Sequence, residues 1–266
     1  MRIIYFIAAA LIVMSCKNGS EKKSVYVNNT IIAHCGAWKQ NGHPKNSIAA
    51  IRDAVKFGYA GSEFDIRMTA DDTLIVYQDL RYKKLNIEKT SYAELKVHPL
   101  DNGEPLPTLR DYIKAGMENN VSTKLVLDIR PPKVKANAII MAEKIVELIK
   151  ELGAKDMVIY TSFGYKLLRR INEIDPSAHT QYMDGSVAPE RLKKDGIDGM
   201  AYHHSVFKKK PEWIQSAIQN NIAINAWTVN KVKDMDFFIE NNFDFITTDE
   251  PTLIKEKLMK FEEKKK

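Results

Sequence analysis

The 266-residue sequence predicts an α/β protein, a TIM (β/α)8 barrel with a small hairpin insertion after the second strand. Short apolar runs alternate along the chain with amphipathic segments of helical period. Eight such units remain once one hairpin arm is set aside, and eight units in roughly 235 residues suit a barrel. No glycine-rich dinucleotide loop is present, which disfavours a doubly wound sheet.

Eight apolar runs are expected to form the barrel strands. They span residues 31–36, 61–68, 124–130, 157–162, 179–183, 199–203, 223–229 and 243–249. The segment "NSIAAIRDAVKFG" places Ile48, Ile51 and Val55 on one face of a helix. Other helices are expected at 108–119, 134–153, 164–175, 189–195, 211–221, 231–242 and 252–264. Several of these begin with Pro or Thr, as helix N-termini tend to.

The run "TLIVYQD" at 73–79 is not expected to be a barrel strand. It follows the second strand after only about four residues, whereas a parallel crossover needs about a dozen. We therefore expect it to fold back as a hairpin arm. Residues 83–108 are expected to form a small excursion before the third barrel strand.

The N-terminal segment "MRIIYFIAAALIVMSC" has the form of a secretory signal, with a basic start and a short apolar stretch. Its "VMSC" end resembles the lipobox of a bacterial lipoprotein. That resemblance implies a signal peptide at 1–15, a lipidated Cys16 with a tether at 16–30, and membrane anchoring in the periplasm or at the cell surface. An ordinary signal peptide is the alternative. One barrel domain would then span 31–266.

Charge and cysteine content narrow the partners. The net charge of +6 reflects lysine-rich surface segments, and no basic stripe is interleaved with aromatic residues, so a nucleic-acid partner is not expected. Cys16 and Cys35 are the two cysteines of the sequence. If Cys16 carries lipid, Cys35 is left as an unpaired thiol.

Three carboxylates are expected at one end of the barrel. Glu63 and Asp65 lie two apart on a strand and so face the same side, and Asp128 lies near the end of the next barrel strand. Converging carboxylates either take up protons or hold a cation. An all-oxygen set suits Ca²⁺ or Mg²⁺. The alternative is a buried carboxylate pair held by backbone donors.

The same segments resemble those of the glycerophosphodiester phosphodiesterase family. The matching text, in family order from residue 31 to 251, is "AHCGAW", "HPKNS", "SEFDIRMTADDTLIVYQD", "LDIR", "AWTVN" and "ITTDEP". The resemblance implies a TIM barrel that cleaves small-molecule phosphodiesters with a divalent metal, Ca²⁺ or Mg²⁺.

Carried over by position, the resemblance implies a catalytic role for His34 and phosphate binding by Arg130, where the family has lysine. It implies metal binding by Glu63, Asp65 and Asp128, of which Asp128 replaces a family glutamate. Trp227 could flank a glycerol or sugar moiety of the substrate, or simply pack at the mouth.

Three further positions depart from the family pattern. Gln78 stands where the family has a second histidine, the general acid for the leaving alcohol, and an amide does not titrate. Cys35 replaces a phosphate-binding arginine and Lys45 replaces a glutamate, so positive charge at the phosphate site has moved rather than vanished. The expected function is metal-dependent hydrolysis of glycerophosphodiesters with weakened activity. The alternative is a family member that binds metal and an anionic phosphodiester without turnover.

Other chemistry is weighed against this hypothesis. His43, His203 or His204 could replace the missing acid, although His43 is also typical of a surface loop and the other two of structural residues. Cys35 could act as a nucleophile, with His34 as the one nearby base. A barrel of unrelated chemistry, such as a Schiff-base aldolase, would need a desolvated lysine at a strand end, and none stands out.

Overall fold

The structure is a computed structural model that describes residues 29–264. The predicted signal peptide, the lipidation of Cys16 and nearly all of the predicted tether lie outside the described residues. Within residues 29–264, every helix is too short or too polar to cross a membrane.

Eight parallel strands close into a barrel, which confirms the predicted fold. The closed order is β1-β11-β10-β9-β8-β7-β6-β2, and β2 pairs back onto β1. The strands are β1 (Ile31–Ala33), β2 (Gly61–Met68), β3 (Leu74–Val76), β4 (Arg81–Tyr82), β5 (Leu85–Asn86), β6 (Lys124–Ile129), β7 (Val158–Ser162), β8 (Thr180–Tyr182), β9 (Gly199–His203), β10 (Ala223–Trp227) and β11 (Phe245–Thr248).

All eight predicted helices are present, and two short ones were not predicted. The helices are α1 (Ile48–Lys56), α2 (Tyr92–Leu95), α3 (Leu109–Met117), α4 (Lys135–Glu151), α5 (Tyr165–Ile174), α6 (Pro189–Lys194), α7 (His204–Lys209), α8 (Glu212–Gln219), α9 (Val232–Glu240) and α10 (Pro251–Glu263). The unpredicted α2 and α7 have four and six residues, too few to show a helical period. Thr108 caps α3 through its side chain, and a proline begins α6 and α10.

The predicted hairpin is also confirmed. β3 pairs antiparallel with β2, with Met68 opposite Leu74, because the intervening chain is too short for a crossover. The excursion that follows contains the β4–β5 hairpin and α2. It has a small apolar core of its own, formed by Ile75, Tyr82, Ile87, Leu95, Leu100 and Leu106.

The barrel interior changes character along its axis. An apolar cluster fills the end where the strands begin; it comprises Ile32, Ala60, Val126, Ile159 and Phe245. Two residues further along their strands, buried polar side chains point inward at Asp128, Thr161 and Thr247. The barrel is therefore closed at its amino-terminal end and polar towards its mouth.

The turn after β1 contains His34, Cys35 and Gly36, and we expect that no side chain is tolerated at Gly36. Gly36 has φ +83°, and a Cβ there would lie 2.7 Å from Ala50 Cβ and 2.9 Å from the Ala50 carbonyl carbon. Gly36→Ala should lower the free energy of unfolding by about 2–5 kcal/mol, the sum of a left-handed backbone and overpacking.

Urea unfolding would measure the loss at Gly36, with Gly42→Ala as the matched control. Gly42 also has a positive φ, +69°, but has open space around it, so only the backbone cost of about 1–2 kcal/mol is expected there. Equal losses in the two variants would contradict the overpacking argument.

Candidate active site

A cavity of about 260 Å³ opens at the carboxyl ends of the barrel strands. Residues predicted for the site line it: His34, Glu63, Gln78, Asp128, Arg130 and Trp227. A larger cavity of about 440 Å³ lies at the opposite end, beside Asn29 and α10, and the described residues that line it include neither histidine nor cysteine. Chemistry is therefore placed at the mouth, where barrel enzymes carry it.

The three predicted carboxylates converge. Asp65 pairs in register with Asp128 across β2 and β6, and one oxygen from each of Glu63, Asp65 and Asp128 lies within 4.8 Å of the others. Burial, reinforced by Asp65, raises the pKa of Glu63 to about 7. Burial also raises the pKa of Asp128 well above its usual range, against the opposing charge of Arg130.

This carboxylate cluster fits a divalent cation. Asp128 Oδ1 is buried and has no hydrogen-bond partner among the described residues. Desolvated carboxylate oxygens that lack partners are what a hard cation such as Mg²⁺ or Ca²⁺ would satisfy.

Arg130 is tied to the carboxylates rather than free beside the cavity. Its Nε donates to Asp65 Oδ1 at 2.7 Å, and its Nη2 lies 3.0 Å from Asp128 Oδ2. Burial opposes the charge of this guanidinium, but the two carboxylates outweigh it and raise the pKa of Arg130. Arg130 thus offsets charge on two of the three candidate ligands, a contact that the sequence did not indicate.

His34 is held in one orientation by Asp249. His34 Nδ1 lies 2.8 Å from Asp249 Oδ1, and Nε2 lies 3.9 Å from Glu63 Oε2. Burial works against ionisation of Asp249, but its hydrogen bond and charge interaction with His34 lower its pKa, so it accepts the Nδ1 proton as a carboxylate. Burial disfavours imidazolium, yet Glu63 and Asp249 raise the pKa of His34. With its Nδ1–H donated to Asp249, the neutral imidazole carries its lone pair on Nε2, as a general base requires, and His34 lines the cavity.

Gln78 lies at the position expected for a second catalytic side chain. It lines the cavity from the end of the hairpin arm. Arg67 fixes its backbone, donating from Nε and Nη2 to the Gln78 carbonyl oxygen at 2.9 and 2.7 Å. The amide side chain can donate or accept a hydrogen bond there, but it cannot release a proton.

Cys35 does not reach the cavity wall. Its side chain is fully buried, and Sγ lies 3.5 Å from Asp65 Oδ2 as a donor. Its backbone N–H donates to Glu63 Oε2 at 2.9 Å. The expectation that Cys35 contacts phosphate is therefore not supported, because the thiol points at carboxylates. Burial raises the pKa of this thiol well above its usual range, which also disfavours the nucleophile hypothesis.

Lys45 lies beside the Asp249 carboxylate that holds His34, and Trp227 lies on the cavity wall. Lys45 Nζ is 3.6 Å from Asp249 Oδ1 and 4.8 Å from the Trp38 ring centre, and its side chain is 39% exposed. Trp227 lines the cavity and donates from Nε1 to the Ala201 carbonyl at 2.6 Å. Its ring packs edge-on against Phe163. A cation and a flat aromatic wall therefore flank the mouth.

The candidate substitute acids are placed differently. His43 Nε2 lies 3.0 Å from Asp53 on α1, and His43 is not among the cavity-lining residues. His203 stacks on His204 and packs edge-on against Trp227, with its Nδ1 2.8 Å from Ser205 Oγ. None of the described residues that line the cavity is a lysine, so the Schiff-base alternative has no candidate nucleophile among them.

Two polar residues of the site were not assigned roles from the sequence. Asp249 orients His34, and Asn46 Nδ2 donates to Asp65 Oδ2 at 2.9 Å while Asn46 Oδ1 accepts from the Asp65 backbone N–H. Both belong to matched motifs, "HPKNS" and "ITTDEP", and that was the available signal. Their contacts span 19 and 215 residues of sequence, so only the fold reveals them.

Known proteins resemble this chain in sequence and in fold. A curated relative from Caldanaerobacter subterraneus, a glycerophosphodiester phosphodiesterase, is 27% identical over 84% of this chain and 96% of its own length. The structure resembles a glycerophosphodiester phosphodiesterase from Parabacteroides distasonis, with a TM-score of 0.85 and 32% identity over 88% of this chain and 98% of that one. It also resembles an Oleispira antarctica phosphodiesterase solved with the product sn-glycerol-3-phosphate, with a TM-score of 0.72 and 22% identity over 88% and 98% of the two chains.

The sequence model of the glycerophosphoryl diester phosphodiesterase family matches residues 34–253, which include every side chain described at the mouth of the barrel. The chain belongs to this family of phosphoric diester hydrolases.

Proposed function

We propose that the protein hydrolyses glycerophosphodiesters with the help of a divalent cation, Ca²⁺ or Mg²⁺. The observation that carries this proposal is His34, oriented by Asp249 with its Nε2 3.9 Å from Glu63, at the edge of the buried carboxylate cluster. Family membership and the glycerol-3-phosphate complex of the Oleispira relative support a glycerol-based substrate.

The residues of the chain divide the work as follows. Glu63, Asp65 and Asp128 would hold the cation, which when bound polarises a phosphoryl oxygen. His34 Nε2 accepts a proton from the attacking water, and the Asp249 carboxylate stabilises the imidazolium that forms. Lys45, next to Asp249, adds positive charge near His34 that attracts an anionic substrate, and Trp227 and Phe163 form an apolar wall of the cavity.

Chelation followed by metal addition tests the proposal. The full chain, stripped of metal, should recover hydrolysis of glycerophosphocholine when Ca²⁺ or Mg²⁺ is added. Glu63→Gln removes the charge of a ligand. Mutation of a residue that merely orients a ligand typically costs about 10–100-fold in activity, so Glu63→Gln should lower metal-dependent activity at least that much.

Asp244→Asn is the matched control, because Asp244 is also acidic but lies beside the cavity at the other end of the barrel. Its metal dependence should match that of the unmodified chain. Turnover that persists in chelator and in Glu63→Gln would contradict the proposed role of the cation.

A second candidate function follows from Gln78. Without a titrating group at this position, the leaving alkoxide has no positioned proton donor. The chain would then bind a glycerophosphodiester and a cation with little turnover. Calorimetry with glycerophosphocholine in the presence of Mg²⁺ would detect this binding. Saturable heat without product supports a binding protein, and product formation supports the enzyme.

We also propose that Cys16 carries lipid and anchors the protein in a bacterial envelope membrane, on the basis of the "VMSC" motif. Cys16→Ser should abolish incorporation of labelled palmitate and release the protein from the membrane fraction. Cys35→Ser is the matched control and should keep both the palmitate label and the association with the membrane fraction. Label retained in the Cys16 variant would contradict the proposal.

A further inference from the structure

A second set of ligand atoms shares the mouth with the carboxylate cluster. His34, Cys35 and Glu63 each place one ligand atom within 4.8 Å of the other two. Nitrogen, sulfur and carboxylate oxygen together are typical of Zn²⁺, whereas Ca²⁺ and Mg²⁺ take oxygen alone. The sulfur belongs to Cys35, the residue that departs from the family's arginine, so this donor set is a property of this chain.

The histidine of this set is already oriented as a metal ligand. Asp249 takes the Nδ1 proton of His34 at 2.8 Å, which leaves the Nε2 lone pair 3.9 Å from Glu63 Oε2. A carboxylate that fixes the tautomer of a histidine is the usual outer-shell arrangement around zinc. Trp38 Nε1 and Asn230 Nδ2 donate to the same carboxylate, at 3.3 and 2.7 Å, and so fix its orientation in turn.

Arg130 biases a cation towards this set. It pairs with Asp65 and Asp128 and so offsets the charge of those two carboxylates. The carboxylate of Glu63 instead accepts a hydrogen bond from the Cys35 backbone N–H, at 2.9 Å. The carboxylate cluster shares Glu63 with this set, and it contains the buried Asp128 Oδ1, which has no hydrogen-bond partner among the described residues.

We propose that His34, Cys35 and Glu63 bind a thiophilic divalent cation of the Zn²⁺ class at the inner edge of the mouth cavity, which His34 and Glu63 line and behind which the Cys35 thiol is buried. Binding replaces the Cys35 S–H bond with a sulfur–metal bond, and the released proton passes to water. The cation also takes the His34 Nε2 lone pair. A further consequence rests on the proposed function: Zn²⁺ should inhibit hydrolysis supported by Ca²⁺ or Mg²⁺, because it occupies His34, the general base.

Cobalt spectroscopy on the full chain tests the site directly. Co²⁺ added to the metal-free protein should produce a sulfur-to-metal charge-transfer absorption in the near ultraviolet, and one equivalent of Zn²⁺ should remove it. Cys35→Ser should lose this absorption and Cys16→Ser should keep it, since Cys16 is the other cysteine of the chain. Cys35→Ala serves as a second variant if serine disturbs folding, which circular dichroism would reveal.

Asp249, which orients His34 but is not itself one of the three ligands, allows an independent measurement. Asp249→Asn keeps all three ligands, so it should keep the charge-transfer absorption but weaken Zn²⁺ binding about 10–100-fold. No charge-transfer absorption in the unmodified chain, its persistence in Cys35→Ser, or displacement of Co²⁺ by Ca²⁺ as readily as by Zn²⁺ would each overturn the proposal. Absorption without hydrolysis of any diester would instead overturn the proposed function and leave this site standing.

Discussion

Replacing His34 with alanine is expected to lower kcat/KM for glycerophosphocholine by about 10²–10⁴-fold, the usual contribution of a positioned general base. The loss corresponds to about 3–5 kcal/mol of transition-state stabilisation. Asp249 holds His34 Nδ1 and leaves Nε2 for the substrate, and among the described residues that line this cavity His34 is the one histidine. Steady-state kinetics with saturating Mg²⁺ or Ca²⁺ would measure the effect.

His43→Ala is the matched control for this prediction. His43 lies on the loop after β1, nine residues from His34, but pairs with Asp53 outside the cavity. Its removal should leave kcat/KM essentially unchanged. A loss at His43 as large as that at His34 would show that the base has been assigned to the wrong histidine.

The second large effect is a gain. Gln78→His is expected to raise kcat for glycerophosphodiesters by up to about 10²–10⁴-fold, because it places a titrating side chain beside the leaving oxygen. Arg67 holds the backbone of residue 78 through its carbonyl, so the new side chain should enter the cavity where the amide lies now. Single-turnover kinetics would separate this gain from product release.

The leaving group provides the control for the gain. A p-nitrophenyl diester departs as a stable anion that needs little protonation, so Gln78→His should accelerate it far less than glycerophosphocholine. Gln78→Asn should accelerate neither, since an amide remains. Equal acceleration of both substrates by the histidine variant would mean that residue 78 acts through binding rather than through proton transfer.

Much of the fold could be predicted from local pattern. The period-two alternation placed Glu63 and Asp65 on one face, and the count of eight apolar runs fixed β6 as the next barrel strand, so Asp128 had to join them at the mouth. The short link before Leu74 excluded a crossover and predicted the hairpin. These steps rest on chain connectivity, which a sequence states directly.

The contacts of long or buried side chains could not be predicted in the same way. Arg130 could have pointed at a ligand or at its own neighbours; in the structure it pairs with Asp65 and Asp128, and its guanidinium lies 5.9 Å from the centre of the Phe163 ring. Cys35 has φ +56° in the turn before Gly36, and that conformation turns its thiol towards Asp65. A residue's position at a strand end therefore predicts its neighbourhood, but not its partner.

The entry point of the chain has a topographic consequence. The Asn29 side chain bonds Gly58 O and Ala60 N in the α1–β2 connection, on the face opposite the mouth. With Cys16 acylated, the thirteen residues from Cys16 to Asn29 limit the reach of the anchor to about 45 Å. An anchor at Cys16, as proposed above, would therefore join the barrel at the end opposite the cavity, so the point of attachment leaves the opening unobstructed.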